Sequence, residues 1–341
     1  MQHGYGLKLK NVLLCGYFGY GNMGDETALQ SALSLLGEYG VSACVAYNPT
    51  GDFSDYLYLG ATKCNRFSAK EIKLALMSSD ALVLTGGNLI QNETSERSLL
   101  YYSAITALAE RFGKPVYMFS SGVGSVRGYI GEKFMKRSLR RVSFAGLRTD
   151  GDIDECRRLL GCTPCNMPDL AFAKECIRRK KSDSFAIIPK TVSRELIIAS
   201  KRLKSAGLTP VVIPLFPKED LAVSGYIGGE VGCEVFVSQN VAELSERLAV
   251  CKFCLTERLH GSVFSVLSST PYKNFSSSEK CLRFTEEMKK RAKKLNTPPP
   301  VLENNRFEEN FFSAEKTDYK SLVDSCAYDL RNSMDKLFNR G

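Results

Sequence analysis

Histidine is nearly absent from this chain of 341 residues: there are two. His3 lies in an N-terminal stretch expected to fray. Imidazole chemistry near neutral pH therefore rests on His260 alone. Long apolar runs are missing too. No stretch reaches the roughly 18 residues that a membrane-spanning helix needs, so none is expected. The segment Met1–Lys10 has no apolar signal core, and secretion is not expected from it. A cytoplasmic protein is expected, and its twelve cysteines read as reduced thiols. Two CxxC pairs, Cys162/Cys165 and Cys251/Cys254, lie far apart in sequence. Buried small apolar residues describe them better than a shared zinc site, and no metal is expected. The net charge is +9, but the basic clusters Arg178–Lys181 and Lys289–Lys294 lack interleaved aromatics and no nucleic-acid motif is present. A diffuse positive field suits an anionic small ligand or an anionic surface instead.

The length exceeds one ordinary core, so two domains are expected. Composition is that of a globular chain, 44% apolar and 24% charged. Short apolar strands alternate with helical patterns. Asn11–Gly16 leads into the loop Gly16–Glu26, then a helix carrying Ala28, Leu29, Ala32, Leu33, Leu35 and Leu36, then a strand at Val41–Ala46. Ala81–Thr85 is a strand closed by Gly86, Gly87 and Asn88, and followed by a polar stretch containing Gln91, Thr94 and Ser95. Val116–Ser120 precedes another glycine-bearing loop. Phe144–Leu147 runs into Arg148, and Ile153–Leu160 reads as a helix. Residues 178–183 read as a linker to a second α/β unit. Its strands are expected at Phe185–Ile188, Pro210–Leu215, Val235–Val237 and Phe253–Leu255. Phe284–Leu295 reads as a basic amphipathic helix, for which a solvated face is the plainer reading and an anionic membrane surface the sharper one. The domains expected are 1–177, 178–284 and a C-terminal helical segment, 285–341, packing back across them.

The first loop contains Gly19-x-Gly21-x-x-Gly24, a formal match to the dinucleotide fingerprint. That fingerprint needs an acid at the end of the second strand for the ribose, and here the strand ends in Ala46-Tyr47-Asn48-Pro49. Asp25 and Glu26 also place negative charge where a pyrophosphate would sit, so a nicotinamide cofactor is disfavoured and no cofactor is expected. The stretch Thr256-Glu257-Arg258-Leu259-His260-Gly261 carries more chemistry. A strand ending there would deliver Arg258 and His260 to the carboxyl edge of a sheet, where open α/β folds bind ligands. Arginine forks onto carboxylate or phosphate. The plain alternative is a helix-start arginine and a half-buried histidine.

Together these stretches resemble the polysaccharide pyruvyl transferase family. Gly16–Glu26 is close to its G-Y-x-G-x-G-N-x-G-D-E, and Gly86–Ser95 to its G-G-G-x-x-Q-D-x-T-S. Leu147-Arg148-Thr149-Asp150 is similar to its V-R-D, Pro168–Phe172 to its D-P-x-F, and Arg258–Gly261 to its R-L-H-[GA]. The similarity runs from about residue 11 to about residue 284. Asn88 stands for the third glycine of the second motif and Asn92 for its acid. Thr149 interrupts the V-R-D turn, and of a Y-D-P-K element only Lys280 remains.

The resemblance implies two Rossmann-like domains facing a cleft, as in the GT-B fold. It implies transfer of pyruvate from phosphoenolpyruvate to a sugar of a cell-wall or exopolysaccharide precursor as a cyclic ketal. The acceptor is then a sugar that can be lipid-linked, reached at the inner face of a membrane, and homo-oligomers are compatible with the pattern. Phosphoenolpyruvate carries a carboxylate and a phosphate, for which Arg258, Arg148 and Lys280 are the candidate cations. His260 is the candidate acid, and Asp25 the candidate base or hydroxyl anchor, with Glu26 next; the plain reading of Asp25 is a helix N-cap. Gly21, Asn22, Gly24, Gly86, Gly87, Asn88, Gln91, Thr94 and Ser95 would line the acceptor loops. Two alternatives share the pattern: a nucleotide-sugar glycosyltransferase, and a relative that binds sugar or anion without catalysis.

Overall fold

The computed structural model describes residues 9–91, 96–122, 124, 126, 128–303 and 313–338. The chain divides into two compact units. The first takes the described residues of Met1–Tyr20, Asp25–Ala173 and Cys326–Gly341, and the second those of Gly21–Gly24 and Lys174–Ser325. The division falls at Ala173/Lys174. The described residues of the C-terminal segment divide between the units, those up to Ser325 going with the second and those from Cys326 with the first.

The first unit runs β1 (Asn11–Cys15), α1 (Met23–Glu38), β2 (Ser42–Tyr47), α2 (Ser54–Leu57), β3 (Thr62–Asn65), α3 (Ala69–Ser78), β4 (Ala81–Gly87), α4 (Glu96–Arg111), β5 (Val116–Ser121), α5 (Tyr129–Arg140), β6 (Val142–Leu147), α6 (Asp150–Cys156) and β7 (Cys165–Asn166). Its seven strands form one parallel sheet in the order β3-β2-β1-β4-β5-β6-β7. The chain winds outward from β1 to β3, then returns to place β4 on the other side of β1. The gap between β1 and β4 is therefore a topological switch point, and open α/β sheets bind ligands at the carboxyl ends of the strands beside such a point. Leu13, Leu82, Leu84 and Met118 lie in one buried cluster with residues of α3 and α4. Strands covered on both faces read as continuous apolar runs, and β4 is buried from Ala81 through Gly86.

The second unit repeats the plan. It runs β8 (Ser184–Ile188), α7 (Arg194–Ser205), β9 (Thr209–Val212), α8 (Pro217–Val231), β10 (Glu234–Val235), α9 (Val241–Ala249), β11 (Phe253–Thr256), α10 (Leu259–Leu267), β12 (Tyr272–Asn274) and α11 (Glu279–Lys294). The order is β10-β9-β8-β11-β12, again all parallel, so the second switch point lies between β8 and β11. Phe185, Ile187, Val212 and Leu255 anchor its core. The last helix, α12 (Tyr319–Phe338), starts in the second unit and ends in the first.

Caps fix several boundaries. The Ser68 hydroxyl accepts from the Glu71 amide at 3.3 Å, as its place before α3 predicts. Asn240 accepts from Glu243 N at 2.9 Å, while Glu243 Oε2 accepts from Gln239 N at 2.6 Å. Thr149, the residue that interrupts the V-R-D turn, is the cap of α6: its hydroxyl accepts from Asp152 N at 3.1 Å. That cap starts α6 at Asp150, ahead of the expected Ile153. The edge strand β3 was not expected. Its sequence, Thr-Lys-Cys-Asn, has neither an apolar run nor a clean alternation.

Candidate functional site

In the first unit the carboxyl edge is built from the loops after β1, β4, β5 and β6. A Cβ on Gly16 would strike the Phe18 ring and the Thr85 carbonyl, so only glycine lets β1 turn beside β4. Beyond it, Glu26 closes the loop. Its Oε1 accepts from Gly19 N at 2.8 Å and Tyr20 N at 3.2 Å, and its Oε2 accepts from the Tyr56 hydroxyl at 2.7 Å. Burial and then the Glu26 charge push the Tyr56 phenol well above its usual range, so it stays a donor. Glu26 thereby holds amides that a pyrophosphate would need, which removes the dinucleotide reading of this loop. Its role is to shape the loop.

Asp25 is 7% exposed. It lies in the first turn of α1, and its carboxylate faces the glycine turn that ends β4: Oδ1 is 3.5 Å and 3.7 Å from where a Cβ would stand on Gly86 and Gly87. The capping role falls to Asn22, whose Oδ1 accepts from Gly24 N at 3.2 Å, so the plain reading of Asp25 as an N-cap does not hold. Gly86 and Gly87 both have positive φ, +83° and +92°, a conformation glycine adopts without steric cost.

Arg148 follows β6 and is buried. Its Nη2 donates to Asn88 Oδ1 at 2.5 Å and its Nη1 lies 3.6 Å from Asp169 Oδ2. Two of the motif stretches, Gly86–Ser95 and the Arg148 turn, are thus joined directly, and Asn88 serves as the acceptor. Gln91 sits against Gly124, with its Cβ 2.7 Å from a Cβ built there. Asn92, Thr94 and Ser95 lie outside the described residues.

One residue here carried no motif. Arg66, after β3, is 6% exposed. Its Nη1 donates to Gly16 O at 2.9 Å, and its guanidinium stands 4.8 Å from the Tyr101 ring centroid and 5.3 Å from that of Tyr20. Arginine stacked on aromatic faces is held electrostatically, so Arg66 braces the loop after β1 from beneath.

In the second unit the edge is built from the loops after β8, β9 and β11. Glu257 accepts from Lys190 N at 2.8 Å, Thr191 N at 2.9 Å and the Thr191 hydroxyl at 3.1 Å, tying the two strands of the switch point together. Arg258 is the N-cap position of α10. Its Nη2 donates to Asp220 of α8, a carboxylate 1% exposed, and Glu219 lies 3.9 Å away. Its Nε is buried without a hydrogen-bond partner. The arginine expected to hold a ligand anion is therefore already paired inside the protein.

His260 lies on the first turn of α10 rather than at a strand end, and is half-buried. Gly24 belongs to this unit, and a Cβ built on it would stand only 1.9 Å from His260 Nδ1 and 2.2 Å from its Cγ, a clash with the ring. The backbone of the glycine loop is held here as well by Met23 N donating to Leu215 O at 3.0 Å. Lys280 is exposed on the first turn of α11, after β12.

Cys251 and Cys254 are buried in the second unit, and burial pushes the Cys254 thiol up to about 12. Burial raises Cys162 to about 11 and also raises Cys165. Thiols so shifted are packing groups at neutral pH. Among the described residues no three His, Cys, Asp or Glu side chains are grouped to hold a metal, and no helix is long and apolar enough to cross a membrane.

Two parallel α/β units, each reversing its strand order about its first strand, define a pair of Rossmann-like domains of the GT-B class. Solved structures agree. The UDP-GlcNAc 2-epimerase of Neisseria meningitidis aligns over 96% of this chain and 100% of its own, with TM-score 0.59 and 9% identity. The UDP-GlcNAc 2-epimerase of Methanocaldococcus jannaschii aligns over 97% and 100%, with TM-score 0.59 and 10% identity. A glycosyltransferase of Rickettsia africae aligns over 96% of each chain, with TM-score 0.54 and 8% identity. At such identities the likeness is one of fold alone. No curated protein sequence matches the chain. The sequence pattern of the polysaccharide pyruvyl transferase family matches residues 22–272, and the chain belongs to that family. Membership makes it one of the transferases associated with polysaccharide pyruvylation.

Proposed function

We propose that the protein transfers pyruvate from phosphoenolpyruvate to a sugar of a cell-wall or exopolysaccharide precursor, forming a cyclic ketal. The observation that carries this reading is the packing of His260 against Gly24. It brings the R-L-H-G motif against Gly24 of the glycine-loop motif, far apart in sequence, within the second unit.

The chemistry asks for an acid, a base and cations. The donor's terminal methylene must gain a proton, leaving an oxocarbenium-like centre at the adjacent carbon. One sugar hydroxyl adds to that carbon, and the carbon–oxygen bond to phosphate breaks. A second hydroxyl closes the ring. Of the two hydroxyl protons lost, one balances the proton given to the methylene and the other leaves with phosphate. His260 supplies the methylene proton. Asp25 accepts a hydroxyl proton, its carboxylate set beside the Gly86–Gly87 turn. A positioned acid or base contributes on the order of 10²–10⁴ in rate. Arg258, fixed by Asp220, and the exposed Lys280 supply positive charge for the donor's carboxylate and phosphate. Arg148 acts at one remove, by holding Asn88.

Incubating the purified protein with phosphoenolpyruvate or UDP-N-acetylglucosamine and a panel of sugar acceptors tests the donor. The proposal expects acceptor-dependent phosphate release from phosphoenolpyruvate, and its loss in His260→Asn. Release of UDP instead, or full turnover in His260→Asn, would overturn the donor or the acid assignment respectively.

A further inference from the structure

Helix α5 begins on an exposed apolar turn. Tyr129 is 82% exposed, Ile130 70% and Phe134 41%, and Leu100 of α4 is 50% exposed. These four line a groove of about 460 Å³, where Glu96 is the only carboxylate among the described residues that line it. Single exposed apolar residues are ordinary, but a contiguous group of large ones marks a contact surface. The helix already spends Ser138 and Leu139 on the interior, so the exposed turn is a second apolar face.

Cations continue from it. Lys133, Lys136, Arg137 and Arg140 are all exposed. At 3.6 residues per turn, Tyr129, Lys133, Arg137 and Arg140 run down one side of the helix, with Ile130 and Phe134 beside them. Glu132, the acid in the first turn of α5, is paired with Lys136 at 3.2 Å. An apolar tip backed by exposed basic side chains is the pattern of a surface that meets anionic lipid. The basic helix at Phe284–Leu295 lacks that tip, because Phe284, Met288 and Ala292 of α11 are buried in the second unit's interior.

Position adds to the argument. All strands of the first sheet are parallel, so α4 and α5 both start at its carboxyl edge. The patch is therefore on the same edge as the Gly86–Gln91 loop.

We propose that the first turn of α5, with Leu100, docks on an anionic phospholipid surface. Tyr129, Ile130 and Phe134 enter the interface, and Lys133, Arg137 and Arg140 meet the headgroups. The purpose of this docking rests on the pyruvyl-transfer reading: a lipid-linked acceptor would arrive at the edge that carries the acceptor loops. The docking itself needs neither donor nor acceptor.

Flotation of the purified protein with vesicles of phosphatidylcholine, alone or mixed with phosphatidylglycerol, tests it without any substrate. Wild type should float with the mixed vesicles, less with phosphatidylcholine alone, and less as salt rises. Ile130→Ser/Phe134→Ser and, separately, Lys133→Glu/Arg137→Glu should each cut binding by roughly tenfold or more with unchanged melting temperatures. Absence of wild-type binding to mixed vesicles would overturn the proposal. So would undiminished binding in both variants, or an apolar variant that turns an oligomer into a monomer while vesicle binding persists. Because flotation uses no substrate, its failure leaves the pyruvyl-transfer reading intact, and the reverse holds too.

Discussion

His260 occupies the space that a side chain at position 24 would need. Gly24 of the glycine loop and the histidine motif therefore pack together within the second unit, and Gly24 is required for its missing Cβ.

Gly24→Ala should destabilise the protein by about 1–3 kcal/mol, the range for overpacking a filled site, and lower turnover at least tenfold by displacing the ring. The double variant Gly24→Ala/His260→Ala should recover most of the lost stability, since the obstructing ring is gone. Urea denaturation of the four proteins measures the coupling. Additive losses would mean that the two residues do not share this space.

Asp220 is 1% exposed and Arg258 15%. Removing one partner of a buried ion pair leaves an uncompensated charge, at a cost of roughly 3–5 kcal/mol. Asp220→Ala should fall near the lower end, because Arg258 keeps some contact with water. Arg258→Met/Asp220→Leu should lose less than either single change. Chemical denaturation midpoints decide between these orders.

How much of this was legible beforehand differs from residue to residue. Asn11–Cys15, Ala81–Gly87 and Phe253–Thr256 announce themselves as apolar runs, and the glycine and arginine loops between them mark the carboxyl edges. The polar edge strand Thr62–Asn65 offers no pattern, because one ladder and little burial define it. Asp220 is hidden for a different reason. It sits inside a helix without a motif, and only the fold brings it to Arg258. Arg66 is similar: its role depends on Tyr20 and Tyr101, which no local spacing connects to it. Glu257 stands within the quoted stretch, yet its hydrogen bonds to Lys190 and Thr191 need the β8–β11 pairing to exist. The helix α10 starts at Leu259, with Arg258 rather than a hydroxyl residue at the cap position.

Asn88, where the motif resemblance expects a glycine, accepts from Arg148 at 2.5 Å. Hydrogen bonds to charged groups are worth about 1.5–3 kcal/mol. Asn88→Gly should lose an amount in that range, while Asn88→Asp, which keeps an acceptor beside the guanidinium, should retain stability. Thermal melts of both variants check this.

Cys44 and Cys64 sit on neighbouring strands, and the hydrogen bond from the Cys64 thiol lowers Cys44 from 9.0 to about 7. The thiolate is the reactive form, so alkylation of Cys44 should rise with pH, reach half its maximum near pH 7, and outpace the other cysteines. Cys64→Ala should move that midpoint upward. Mass-spectrometric mapping of iodoacetamide labelling against pH follows it directly.

The central claim is that pyruvate moves from phosphoenolpyruvate to a sugar diol under the control of His260. Mass analysis of the acceptor, paired with phosphate counting, addresses it most directly. The account predicts one phosphate released per acceptor consumed, an acceptor heavier by pyruvate less water, and neither change with His260→Asn. Phosphate released without any change in acceptor mass, or a ketal formed as fast by the variant, would contradict it.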